Sequence, residues 1–205
     1  MKKLRVLLII LTCAISLGYA QPNGHLPEGL QVPGKVIASE RYSDATGENL
    51  VLLTSTGNYY DQLRSHDADG YLWNNGREAS LYAFRYQMIN GVPELKWQLE
   101  EHTLDCADDI ETSFYQEAFH LTDLDKDGIK EVWMMYRKGC MEGPGPQEMH
   151  LVMMEGETRQ AMHGRTRYRS PNGTISGGEY RFESGFLKGP SDFREYGKRM
   201  WAMPD

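Results

Sequence analysis

Residues 123–131 read Asp-Leu-Asp-Lys-Asp-Gly-Ile-Lys-Glu and place four carboxylates on one short stretch of chain. Such an Asp-rich loop, with a glycine where the chain must turn sharply, is typical of calcium sites, because Ca²⁺ binds about 6–8 oxygen atoms at about 2.3–2.6 Å. Five or more protein oxygens favour calcium over magnesium, which keeps more of its water ligands. The predicted ligands are a water, the main-chain carbonyl of Ile129 and the side chains of Asp123, Asp125, Asp127 and Glu131.

The flanks of this loop distinguish it from an EF-hand. An EF-hand has helices on both sides and a bidentate glutamate at its twelfth position, which here is Met134. Residues 114–121 and 131–137 instead have the composition of strands, so we expect the loop to join a β-hairpin. The alternation predicts that one face of the second strand carries Val132, Met134 and Tyr136, and the other Trp133, Met135 and Arg137. The simpler alternative is a turn that merely favours Asp and Gly. If calcium binds, a structural role is favoured over a catalytic one.

Two cysteines, Cys106 and Cys140, bracket the predicted hairpin. An even pair of cysteines in an exported chain predicts a disulfide, which would join the open end of the hairpin behind the metal. The alternatives are two free thiols or a zinc site. The sequence around these cysteines lacks the closely spaced Cys/His pairs of structural zinc sites.

The first twenty residues have the pattern of a cleavable export signal. Lys2, Lys3 and Arg5 precede an apolar run that is too short to span a bilayer, and residues 18–20 are Gly-Tyr-Ala. Cleavage is expected after Ala20. A lipoprotein signal that uses Cys13 is the alternative. Residues 10–12, Ile-Leu-Thr, are a poor match to the sequence that precedes a lipidated cysteine.

The charge and hydropathy of the chain exclude several classes of partner. The net charge is −7, and loss of the three basic residues of the signal would leave about −10 on the mature part, which disfavours nucleic acid. No other segment is long and apolar enough for a transmembrane helix. The domain organisation is expected to be signal peptide 1–20, extended lead-in 21–35 and a single β-rich domain 36–205.

Strand-like segments dominate the mature chain, and only its tail has helical spacing. We predict strands at 36–42, 49–56, 80–89, 94–104, 150–154, 160–168 and 177–182, with a hairpin turn at Asn90-Gly91. The helix is predicted to begin with Ser191 as N-cap and to bury Phe193, Tyr196, Met200 and Trp201. This pattern indicates a mainly β fold: an antiparallel, sandwich-like single domain with one C-terminal helix.

Other polar segments carry weaker signals. Residues 63–76 are expected to form a solvated connection, or else a second cation or glycan site. The acidic residues of 100–111 are expected to form a charged surface, unless some of them reach the calcium loop.

The six histidines have no ligand spacing, and no nucleophile-elbow, zinc-protease or phosphate-loop motif occurs. An enzyme is therefore disfavoured, and Asn172 in its sequon is interpreted as part of a turn.

Several segments together resemble a family of exported bacterial proteins labelled surface polysaccharide biosynthesis proteins. They are residues 48–57, 81–86, 121–132, 136–140, 177–180 and 196–201. The calcium segment alone resembles the loops of integrin-type VCBS/FG-GAP repeats, whose single-domain exported relatives include periplasmic lysozyme inhibitors.

The resemblance implies a calcium-binding accessory or binding protein of the cell envelope, in the periplasm or at the surface. Its partner would be a glycan or an envelope protein. The alternatives are an inhibitor of a lysozyme-type hydrolase and a glycan-active enzyme.

Overall fold

Two antiparallel β-sheets make up most of the fold, as the sequence predicts. The computed structural model describes residues 26–60, 76–107, 109–141 and 143–204. The predicted signal peptide and most of the polar loop 63–76 lie outside the described residues. The strands are β1 (Lys35–Asp44), β2 (Gly47–Ser55), β3 (Tyr59–Tyr60), β4 (Arg77–Ile89), β5 (Val92–Cys106), β6 (Asp109–Ile110), β7 (Ser113–Phe114), β8 (His120–Thr122), β9 (Glu131–Lys138), β10 (Cys140–Met141), β11 (Glu148–Glu155), β12 (Thr158–Arg165), β13 (Tyr168–Arg169), β14 (Ile175–Ser176) and β15 (Tyr180–Phe182).

The first sheet contains β1, β2, β4 and β5 in that order, with β3 also paired to β4. The turn between β4 and β5 is the predicted one: Asn90 and Gly91 have φ angles of 52° and 81°, as the two central residues of a type I′ hairpin require. This hairpin is longer than β2, whose pairing with β4 begins at Asn49 and Gln87.

The second sheet has the order β15, β12, β11 and β9, and both β7 and β8 pair with the outer side of β9. The alternation predicted for β9 is confirmed, because its two faces enter two different cores. Val132, Met134 and Tyr136 belong to one buried cluster, and Trp133 and Met135 belong to another.

The core lies in three layers. Residues from both sheets, such as Leu53, Leu81, Met134 and Val152, form one cluster between them, which is the packing of a β-sandwich. The outer face of the second sheet is covered by helices. The outer face of the first packs against part of the lead-in, at Leu26, Leu30 and Val32.

Helix α2 (Ser191–Trp201) confirms the predicted C-terminal helix and buries Phe193, Met200 and Trp201. Its predicted N-cap is wrong by one residue. Pro190 occupies that position in an extended conformation, and no side chain caps the helix there. A second helix, α1 (Ser184–Lys188), was not predicted, since five residues are too few to show a helical period. It buries Phe186 against Trp133.

The strand predicted at 114–121 is interrupted, which corrects the expected hairpin. The chain leaves β9 after Phe114 and forms a 3-10 helix at Gln116–Ala118. It then returns as β8, whose three residues pair with the start of β9. Ala118, within this interruption, is fully buried, so the detour fills the core beside the sheet rather than extending the ladder.

The disulfide between Cys106 and Cys140 is confirmed, with Cα atoms 5.5 Å apart, and this excludes free thiols and zinc. Its place in the fold differs from the expectation. Cys106 is the last residue of β5 in the first sheet, whereas Cys140 lies in β10, just after β9. The bond therefore links the first sheet to the segment that leaves the second one.

Candidate metal centre

The acidic loop connects β8 to β9, and its backbone is shaped by its own aspartates. Gly128 has a φ of 87° and Lys126 a φ of 63°, a left-handed conformation that glycine adopts without steric cost. The Asp127 N–H donates to Asp125 Oδ1 at 3.3 Å, and the Ile129 N–H donates to Asp127 Oδ1 at 2.7 Å. These turns fold the loop back on itself, which explains why aspartates stand at alternate positions and a glycine follows the last of them.

Glu131 is the fixed carboxylate of the site. It begins β9 and is fully buried. The Leu124 N–H donates to Glu131 Oε1 at 2.8 Å, and the Thr122 hydroxyl donates to Oε2. Thr122 Oγ1 in turn accepts from Trp133 Nε1 at 2.7 Å. These hydrogen bonds hold the carboxyl group of Glu131 in the interior and orient it toward the loop.

The aspartates converge on Glu131 and on a second glutamate. Asp123, Asp125 and Glu131 each offer an oxygen within 4.8 Å of the others, and so do Asp125, Asp127 and Glu155. Asp125 belongs to both groups, so the five carboxylates form one cluster, and each group of three could hold a metal ion. The structure therefore brings all four predicted side chains together. Ile129 lies in the same loop, and its carbonyl remains a predicted ligand.

Glu155 is the member of the cluster that the sequence did not reveal. It ends β11 and is the direct cross-strand partner of Glu131. Its Oε1 atom is buried without a hydrogen-bond partner among the described residues. Burial and the negative charges of Asp125 and Asp127 raise the pKa of Glu155 to about 7. Like charges at directly opposed positions destabilise a sheet, and a bound cation would remove that repulsion.

The loop is also held from the first sheet. The Ala45 N–H, in the turn between β1 and β2, donates to the Gly128 carbonyl at 2.8 Å. The Lys130 N–H donates to Asp44 Oδ2 at 3.1 Å. Burial alone would raise the pKa of Asp44, but hydrogen bonds from Thr46 and Lys130 outweigh it and lower that pKa. The metal loop therefore lies where the two sheets meet.

A buried arginine connects the two turns that surround the cluster. Arg85, on β4, donates from Nε to Asn49 Oδ1 at 3.1 Å and from a terminal nitrogen to Thr46 Oγ1 at 2.7 Å. Its other terminal nitrogen donates to the Gly156 carbonyl at 3.1 Å, directly after Glu155. It thus fixes the turn that positions Glu155, through hydrogen bonds that sequence reasoning did not anticipate.

The acidic residues of 100–111 pair with basic groups elsewhere, which favours the interpretation of a charged surface. Glu101 contacts Tyr136 and Lys138, Glu111 pairs with Arg137, and Asp109 pairs with Arg77. Asp108 lies outside the described residues. The fifth carboxylate thus comes from β11 rather than from this segment.

No family model matches the chain, and neither a curated protein nor a solved structure matches it. Within the part of the chain that the structure describes, no helix is both long and apolar enough to cross a membrane.

Proposed function

We propose that this protein is an exported calcium-binding protein of the bacterial envelope that acts as a binding or accessory component. The observation that carries the proposal is the convergence of five carboxylates between β8, β9 and β11. None of the five forms an ion pair with a described Lys or Arg side chain. Lys130, in the same loop, lies over the Tyr42 ring instead, 5.9 Å from its centroid.

The donor set favours calcium over other cations. All members are oxygen ligands, without the cysteine or histidine that zinc and copper prefer. Magnesium binds proteins through one or two carboxylates and keeps several waters, whereas this cluster offers five carboxylates. Calcium accepts such a crowded and irregular set. Its role here is structural, because it joins a loop and a strand end that would otherwise repel each other.

Export is supported by the disulfide and by the character of residues 1–20. Disulfides persist in oxidising compartments such as the periplasm and the cell surface, and Cys106 and Cys140 are bonded. Millimolar calcium is also an extracellular condition, to which sites of moderate affinity are suited. The envelope assignment further rests on the resemblance to surface polysaccharide biosynthesis proteins, which suggests a glycan or an envelope protein as partner.

One feature favours a second candidate, an inhibitor of a lysozyme-type hydrolase. The tip of the β4–β5 hairpin exposes Ile89, Val92 and Leu95 to 42%, 65% and 48%. An exposed apolar hairpin tip suits insertion into a partner's cleft. Under this candidate, the mature protein should protect bacteria against added lysozyme, and Val92→Asp should abolish the protection. Equal protection by the variant would exclude the hairpin as the inhibitory element.

Isothermal titration calorimetry of the mature protein after dialysis against a chelator tests the calcium proposal. One equivalent of Ca²⁺ should bind, and Mg²⁺ should bind far more weakly. Glu195→Gln is a matched control, since this exposed carboxylate pairs with Lys198 on α2 and should leave calcium affinity unchanged. Absence of calcium binding in the millimolar range would refute the proposal.

A further inference from the structure

A row of ring and guanidinium side chains crosses the inner face of the second sheet, at the end away from the metal loop. Tyr136 on β9 lies opposite His150 on β11. His150 in turn lies opposite His163 on β12, and His163 lies opposite Arg181 on β15. The Tyr136 and His150 rings are stacked 5.0 Å apart. We refer to these four residues as the polar ladder.

A groove follows the outer half of the polar ladder. It has a volume of about 510 Å³ and is lined by Glu148, His150, His163, Gly164, Glu179, Tyr180 and Arg181. A second cavity of about 620 Å³ shares Glu148 with it and adds Lys138 and Arg165. Each volume falls within the range of small-ligand sites, and the two cavities adjoin at Glu148.

Among the described residues, two guanidinium groups of this surface donate hydrogen bonds to neutral acceptors, although one of them, Arg165, is also the direct cross-strand partner of Glu148. Arg165 donates to the Pro146 carbonyl at 2.8 Å, and Arg181 donates to His163 Nε2. Among the described residues, no carboxylate forms an ion pair with either. Arg165 continues the strand beyond His163, the partner of Arg181, so the two arginines are diagonal neighbours on one face of the sheet. Such neighbours lie about 7–8 Å apart at Cα, within reach of one anionic group held between them.

The local charge contrasts with that of the whole protein. Residues 158–181 contain a single acid, Glu179, whereas the chain as a whole has a net charge of −7. Of the arginines in this segment, Arg165 and Arg181 line the two cavities, whereas Arg169 lies outside both and Arg159 pairs with Glu183. A basic region on an acidic protein attracts anions to one place and away from the rest of the surface.

The remaining groove residues suit hydroxyl groups rather than further negative charge. The Glu148 carboxylate accepts from His150 Nε2 and is about half exposed, so it can accept further hydrogen bonds. Burial and the charge of Arg181 lower the pKa of His163, which therefore is a neutral hydrogen-bonding group near pH 7. Glu148 and Glu179 would repel a densely charged polyphosphate but would accept hydrogen bonds from a sugar.

We propose that this groove and the adjoining cavity together bind an acidic oligosaccharide, with a sugar carboxylate between Arg165 and Arg181 and ring hydroxyls at Glu148 and His150. Guanidinium groups bind carboxylates through paired hydrogen bonds, which makes arginine suited to this contact. The inference rests on the proposed binding function and names the class of ligand. The saccharide proposal does not depend on the candidate metal site, which lies at the opposite end of β9 and β11.

The test uses calorimetry of the mature protein with two defined oligosaccharides, in calcium and in chelator. The acidic probe is a hexasaccharide of alternating glucuronic acid and N-acetylglucosamine, and the neutral probe is the N-acetylglucosamine hexamer. We expect the acidic probe to bind about tenfold or more tightly than the neutral one, since a charge-assisted hydrogen bond is lost with each carboxylate. Equal binding of the two probes, or no binding of the acidic one, would overturn the proposal.

Variants assign the binding to the groove. Arg165→Gln and Arg181→Gln should each weaken the acidic probe by about tenfold, whereas Arg169→Gln, on the β13–β14 hairpin and outside both cavities, should not. Arg181→Lys keeps the charge but loses the planar fork, so it should give an intermediate affinity even if Arg181→Gln fails to fold. Unchanged affinity in folded Arg165 and Arg181 variants would exclude this groove.

A membrane surface is the competing source of negative charge. Vesicles of a phosphatidylglycerol and phosphatidylcholine mixture, assayed by co-sedimentation, should retain the protein no better than pure phosphatidylcholine. Retention by the anionic vesicles without binding of the acidic hexasaccharide would contradict a saccharide ligand. Calcium affinity measured on the same samples distinguishes a failure of this inference from a failure of the calcium proposal.

Discussion

Glu131 and Glu155 face each other directly across the antiparallel strands β9 and β11. Glu131 is fully buried and is held by hydrogen bonds from Thr122 and Leu124. Glu155 has a buried oxygen without a partner among the described residues. Carboxylates at directly opposed positions repel each other unless a counter-charge is present, so this relationship joins the predicted loop to the second sheet and supports the calcium proposal.

Glu155→Gln should have opposite effects with and without calcium. In chelator, the variant should be more stable than the wild type by about 1 kcal/mol, since it removes repulsion between opposed carboxylates. In calcium, it should bind the ion more weakly and gain less stability from it. Chemical denaturation in both conditions measures this. A variant that is destabilised equally in both conditions would show that Glu155 is not a ligand.

Asp125→Asn should have the largest effect on calcium affinity, because Asp125 belongs to both carboxylate groups. Loss of one shared charged ligand should weaken binding by about two orders of magnitude. The asparagine oxygen can still accept the Asp127 N–H, so the turn should persist in chelator. Calorimetry measures the affinity, and an affinity within a factor of two of the wild type would contradict the assignment.

Replacing both cysteines with serine should lower the stability of the protein. The bond closes a loop with a sequence separation of 34, and such a loop contributes about 3–4 kcal/mol to the free energy of unfolding. Urea denaturation of the double variant measures the change. Because the disulfide is remote from the metal loop, calcium affinity should stay unchanged, and a large loss of affinity would indicate coupling that the geometry does not predict.

Glu101 should make stability depend on pH in the acid range. Burial alone would raise the pKa of Glu101, but hydrogen bonds from Lys138 and Tyr136 outweigh it and place the pKa below its ordinary value. A lowered pKa in the folded state stabilises the protein above the pKa of the unfolded state, about 4.3, and this stabilisation is lost as the pH falls through the folded value. The stability difference between the wild type and Glu101→Gln should therefore shrink from pH 6 to pH 3. A difference that stays constant over this range would contradict the assignment.

The parts of this structure that depend on local sequence were predictable. The loop carries its aspartates at alternate positions, and the alternation of β9 defines its two faces. The Asn90-Gly91 pair favours the positive φ angles of a type I′ turn. These features depend on neighbours within a few residues. The disulfide could be predicted because export and cysteine number leave few alternatives.

The parts that depend on strand register were not predictable. Glu155 joins the site only because β11 pairs with β9 in one particular register, which alternation alone does not specify. Arg85 reaches Gly156 through a contact between the two sheets. The 3-10 helix at Gln116–Ala118 arises because Ala118 is buried beside β9, and its composition alone resembled a continuous strand.

A crystal structure of the mature protein grown in millimolar CaCl₂ tests the central claim most directly. Our account predicts one ion in the 123–131 loop, with oxygens of Asp123, Asp125, Asp127 and Glu131 at about 2.3–2.6 Å. The same density would show whether the Ile129 carbonyl and Glu155 complete the coordination. A loop that contains only water at that calcium concentration, or a basic side chain in place of the ion, would contradict the account.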